Sequence, residues 1–215
     1  SVELSSDVEI YYTLNGDDPT KANSLYDSPI HLSIIDDETR VYPLKVILYV
    51  NGSYSKIYEE DYVLSTDDSY DLPIISITSD WSNLYDYKTG IMIDGADYDE
   101  GLGIPNYKQR GEDWLRNGNF SYFDANGNSY DEMIKIGAHA GDKKSFKIEF
   151  QNDIQLISTE GVEYYSTSKN KKYIIRMGSQ DYLNGNIRTS LGYSLAKESN
   201  YTGTANGERI IVYLN

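Results

Sequence analysis

Apolar and aromatic residues come in short runs broken by clusters of turn formers. The first four runs are VEIYYTL (8–14), PIHLSII (29–35), VYPLKVILYV (41–50) and KIYEEDYVL (56–64), separated by NGDDPTKANS, DDET and NGSYS. Strand-length runs with turn signals about every dozen residues predict a small antiparallel β-sandwich over residues 1–66. The polar, acidic stretch STDDSYD (65–71) ends the series, and 67–71 reads as a linker. Beyond it LPIISITSD opens a strand, with Pro73 at the start, where a missing N–H does little harm. GIMIDG (90–95) predicts a further short strand. NFSYFDANGNSYDEMIKIG (119–137) predicts a hairpin, and KKSFKIEF (143–150) and KKYIIRMG (171–178) two more strands. One helix is predicted, over 184–199, where Ile187, Leu191 and Leu195 recur at spacing four and Asn184 or Asn186 can cap the start. Gly192 inside it costs about 1 kcal/mol relative to Ala, which predicts a close approach there. The fold expected is mainly β: a small antiparallel sandwich (1–66), then a strand-rich α+β unit (72–215).

Charge is distributed unevenly over this pattern. The chain of 215 residues has a formal charge of −15, which disfavours binding to nucleic acid or to an anionic membrane. Residues 1–72 hold 15 acids and 4 bases, a balance of −11, whereas residues 143–215 hold 7 acids and 10 bases, a balance of +3. Any contact with phosphate is therefore expected in the last third. No cysteine is present, which excludes disulfides and thiolate metal sites. No apolar run is long enough to span a bilayer, so membrane insertion is not expected. The closing run IIVYLN is a strand pattern cut short, and the chain is read as a fragment of a longer protein.

Two family resemblances follow from particular motifs. VEIYYTLNGDDPTKANSLYDSPIHL resembles the small β-sandwich repeat named for the C-terminus of chitobiase and β-hexosaminidase, with Asn15 in place of the usual Asp. LPIISITSDWSNLYDYKTGIMIDG, NYKQRGEDWLRNGNFSYFDANGN, IKIGAHAGDKKSFKIEF, IIRMGSQDYLNGNIRTSLGYSLAKE and ERIIVYLN, in that order, resemble the N-terminal part of the CotH kinase family, atypical protein-kinase-like proteins related to bacterial spore-coat proteins. The resemblance implies a secreted or surface-associated bacterial parent that uses ATP and Mg²⁺ to phosphorylate surface or coat proteins. The metal-holding carboxylates of that family fall downstream of ERIIVYLN. No catalytic or metal residue is therefore assigned; the fragment alone is expected to hold no complete cofactor site, at most the front of a nucleotide site, and not to transfer phosphate. The positions carried over as nucleotide-binding are Lys144, Lys147, Arg176 and Arg188. IKIGAHAGDKKS is shorter and less rich in Gly and Arg than the family loop, and Met177 and Thr189 replace commoner Asn or Asp. The alternative is an extracellular adhesin or carbohydrate-binding scaffold that engages cell-surface glycans without nucleotide chemistry; a hydrolase accessory domain is a third reading.

Individual residues carry bland readings beside these. Asp17 and Asp18 read as turn residues before Pro19, too few for Ca²⁺. DGADYDE (94–100) reads as a solvated acidic loop, with Ca²⁺ binding as the alternative. Lys143, Lys144 and Lys147 either grip phosphate or guard an edge strand against aggregation. His139 has no partner at catalytic or zinc spacing and reads as structural or exposed. Trp81, Trp114 and the 22 tyrosines read mostly as core and sheet packing, with a sugar-stacking platform as the alternative.

Overall fold

The computed structural model describes residues 1–66, 72–99, 101, 103–124, 127–139, 142–152, 155–157, 163–165, 171–176, 188–201 and 210–215. Residues 67–71, read as the linker, lie outside the described residues. The protein is mainly β.

The first sheet contains β1 (Glu9–Thr13), β2 (Ser24–Leu25), β3 (Arg40–Val50), β4 (Ser53–Tyr54) and β5 (Tyr58–Leu64). It is antiparallel throughout, with β3 central between β1 and β5. Ile10, Leu44 and Val46 face one side, where Ile30 closes a small core helped by Tyr12, Leu48 and Tyr62. Strand pleating sends the alternate residues of β3 to the other side. Val41, Lys45 and Ile47 there are buried too. A strand buried on both faces is covered by something on each. PIHLSII forms no strand: Ile30 and Ile35 make only isolated bridges, to Val2 and Glu38. Its apolar residues are used as a lid on the core, where burial matters and pairing does not.

The second sheet runs β12-β9-β8-β7-β6-β13, made of β6 (Ile74–Thr78), β7 (Arg116–Phe123), β8 (Ser129–His139), β9 (Asp142–Phe150), β12 (Lys172–Ile175) and β13 (Ile211–Leu214). β10 (Gln155–Ile157) and β11 (Glu163–Tyr165) pair separately. The predicted hairpin is the β7–β8 pair, and all neighbours are antiparallel except β13, which lies parallel to β6. Ile75, Ile77, Phe120, Ile136, Ile148 and Phe150 fill one face. Phe120 meets Phe150 edge-on with ring centroids 4.9 Å apart, a favoured aromatic geometry. Leu84 of α1 (Trp81–Tyr85) and Ile91 complete this core.

GIMIDG is not a strand. Ile91 and Met92 donate their backbone N–H groups to the Asn83 and Leu84 carbonyls, which holds the run as a turn that plugs Ile91 into the core. Gly90 allows this, since a Cβ there would come within 2.6 Å of the Asp86 backbone. The acidic loop includes a short helix, α2 (Ala96–Asp99), and no metal-holding group of three His, Cys or acidic side chains occurs among the described residues. The C-terminal helix forms as α3 (Arg188–Glu198), with 184–187 outside the described residues. Among the described residues the close approach expected at Gly192 is absent: a Cβ there would meet none of them within 4 Å. Leu191 and Leu195, at spacing four, are exposed.

The two sheets face each other through the sides opposite their cores. Tyr213 on β13 donates its hydroxyl to the Thr39 carbonyl at 2.8 Å. A Cβ at Gly16, whose φ is +84°, would lie 2.8 Å from the Thr78 side chain. Thr13, Lys45 and Asp61 from the first sheet and Ser76, Thr78 and Ser121 from the second are all buried. The two hydrophobic clusters are separate, and the contact between the sheets mixes these polar side chains with the buried Val41 and Ile47 of β3.

Candidate functional site

Three places bring chemistry-bearing side chains together. The first is the end of the second sheet where β8, β9 and β12 meet. Lys147 lies opposite Gly137 on one side and Ile174 on the other. The core face of these strands carries Ile136, Phe146 and Ile148, so period-two alternation sends Lys147 to the outer face. His139 ends β8 two residues beyond Gly137, at an irregularity in its pairing with β9, and Arg176 follows β12 two residues beyond Ile174. Partial burial, then the positive charges of Arg110, Arg176 and Lys147, hold the His139 imidazole below its usual range. Four basic groups thus converge, in a chain whose net charge is strongly negative.

The sequence reading is redistributed by this geometry. Lys147 and Arg176 are brought together, and His139 and Arg110 join them. Lys144 and Arg188 lie on β9 and α3, with side chains outside the described residues. The edge-strand reading is overturned for Lys147, which has β8 on one side and β12 on the other; β12 pairs with Phe146–Glu149 only and does not reach Lys143 or Lys144. Lys147 also meets Glu149 at 2.7 Å, and Lys172 meets the same carboxylate at 3.1 Å. An anion arriving here competes with Glu149 for Lys147. Arg110 and His139 carried no sequence signal, because neither is near β12 along the chain.

The second place is the cleft between the sheets. Lys45, 6% exposed, donates to Asp18 Oδ1 at 2.8 Å and lies 4.0 Å from Asp80. Asp18 therefore does more than reverse the chain, contrary to the turn reading. Asp17 fits that reading: Asn15 Nδ2 donates to its carboxylate at 2.7 Å and Thr13 to its carbonyl at 2.5 Å. Below Lys45, the cleft is lined by Glu59, Asp61, Asn119, Ser121, Tyr130 and Asp131. Burial pushes the Glu59 carboxyl up to about 7, against the pull of Lys45, and raises Asp61 also. One signal for the cleft was available: a single Lys inside the apolar run VYPLKVILYV must find a partner if buried.

The third place is aromatic. Trp81 is 60% exposed and stands 6.1 Å from Tyr85, on α1. Trp114, by contrast, packs against the second core and under the Arg116 guanidinium at 5.3 Å. Packing thus accounts for one tryptophan and not the other.

Residues 2–62 match the sequence model of a family described as Fn3 associated. The match coincides with the first sheet and with the sandwich expected over residues 1–66. Domains of this kind typically occur in extracellular proteins. No curated protein and no solved structure matches the chain. Among the described residues, no helix is long and apolar enough to cross a membrane.

Proposed function

We propose that this chain is the leading part of an extracellular bacterial CotH-like protein, with a sandwich module (1–66), a linker (67–71) and the N-terminal portion of the CotH-like domain (72–215). The observation that carries the reading is the convergence of four basic groups: Lys147 on β9, His139 at the end of β8, Arg176 just after β12, and Arg110 from the loop before β7. The family resemblance adds Lys144 on β9 and Arg188 on α3 to the proposed nucleotide site, their side chains lying outside the described residues. Such a cluster suits the phosphates of a nucleotide, since charge-assisted hydrogen bonds to phosphate are the strong ones. The chain alone binds without transferring phosphate; the longer parent would hold ATP with Mg²⁺ and act on surface or coat proteins. The test is a thermal shift with ATP on the whole chain. A shift that is lost in Lys147→Ala and Arg176→Ala supports the reading, and no shift at any ATP concentration removes it.

A second reading is favoured by Trp81, whose exposed ring beside Tyr85 suits stacking on a sugar face. On that reading the chain is an adhesin or carbohydrate-binding scaffold for cell-surface glycans. Binding on a glycan array that is lost in Trp81→Ala, without an ATP response, would establish it over the first.

A further inference from the structure

Asp61 is 6% exposed, and neither carboxylate oxygen makes a hydrogen bond of good geometry. One oxygen of Glu59, two residues earlier and on the same face of β5, is likewise buried and unpartnered. A buried, ionised and unsatisfied carboxylate is costly, so a group that neutralises it is expected. Among the described residues the cation acting on both carboxyls is Lys45, which is already bound to Asp18. A metal is a poor candidate, because no three metal-ligating side chains gather among the described residues. Asp61 instead faces hydroxyls, Ser76 on β6 and Ser121 on β7, while Glu59 faces the Asn119 amide on β7; these polar groups pull the two carboxyls down, and burial, the larger effect, outweighs them. A hydroxyl oxygen can accept from a protonated carboxyl, which would turn an orphaned group into a donor.

We propose that Asp61 and Glu59 form a proton-operated latch that holds the two sheets together more tightly in acid than at alkaline pH. The charged groups around it are Lys45 on β3, Asp18 in the turn after β1, Glu60 on β5 and Asp131 on β8, with Asp80 beyond Lys45. All but Lys45 are acids, so each ionisation makes the next harder. Glu59 rises from an ordinary 4.5 to about 7 in the folded chain. Between those values the folded chain holds a proton that the unfolded chain has released. Stability therefore falls as pH rises from 4.5, and the loss is complete above about 7. The latch does not depend on the nucleotide or glycan reading.

The experiment combines carboxyl-carbon NMR titration of the wild-type chain with melting and amide exchange at about pH 5.5 and about pH 8. Expected are a Glu59 midpoint near 7, a melting point lower by on the order of 5 °C at the higher pH, and faster opening of β5 and β6 there. Asp61→Asn with Glu59→Gln should flatten the pH dependence, whereas Asp7→Asn, which removes an exposed charge, should leave it unchanged. Ordinary carboxyl midpoints for both residues, or the same slope in the double variant, would overturn the latch. So would calcium chloride that stabilises the wild type at pH 8 and not Asp61→Asn, since the occupant would then be a metal. The titration needs no substitution, so a variant that fails to fold leaves the test intact.

Discussion

The ammonium of Lys45 and the carboxylate of Asp18 lie 2.8 Å apart, with the lysine side chain 8% exposed and the aspartate 49%. The pair is therefore unequal. Removing the acid leaves a buried charge, whereas removing the lysine leaves an acid that water can solvate. Asp18→Asn should cost about 1–3 kcal/mol, below the usual figure for breaking a buried pair because Asp80 and solvent compensate in part. Lys45→Met should cost under about 1 kcal/mol and should also steepen the acid preference of Glu59. Urea unfolding of both variants would check the order.

Gly16→Ala tests the contact between the sheets. The substitution meets two obstacles at once, a φ of +84° and a Cβ placed 2.8 Å from Thr78. Its cost should exceed the roughly 1 kcal/mol of an ordinary left-handed position. Amide exchange at β6 should accelerate with it, while the first core around Leu44 stays protected.

His139 should titrate below the usual histidine range. Its folded value is depressed first by burial and then by three cations, so the folded chain binds less proton than the unfolded one just below the ordinary value of 6.5. Stability from this group is complete above 6.5 and is lost as pH falls below it. Arg176→Ala should move the NMR midpoint upward without restoring it fully, since burial remains. An unchanged midpoint would separate Arg176 from the cluster.

Gly192→Ala should stabilise the chain by about 0.5–1 kcal/mol through helix propensity, because nothing described crowds that position. Phe120→Ala marks the opposite extreme. Loss of a ring that is 1% exposed and packed edge-on against Phe150 should cost about 3–5 kcal/mol. Thermal denaturation would rank the two.

Legibility followed the range of the forces involved. VEIYYTL, VYPLKVILYV and KIYEEDYVL were readable as strands because alternation and turn chemistry are local, and the β7–β8 hairpin for the same reason. PIHLSII and GIMIDG carried the same apolar signal, yet their backbones bond to isolated bridges and to the α1 carbonyls. A short apolar run states that it will be buried, not by which partner. At the basic cluster, Lys147 and Arg176 were legible as candidates, but their meeting depends on the β9–β12 register.

By itself, the order of apolar and polar residues determined a mainly β chain, most of its strands and the absence of cysteine chemistry. Only the tertiary structure decided that Asp18 serves Lys45, that β9 is interior and that Asp61 is sealed between two sheets. The reason is distance along the chain: pleating is set by residues two apart, whereas desolvation of a charge is set by whatever surface packs over it. For Asp61 that surface includes Ser121, sixty positions away.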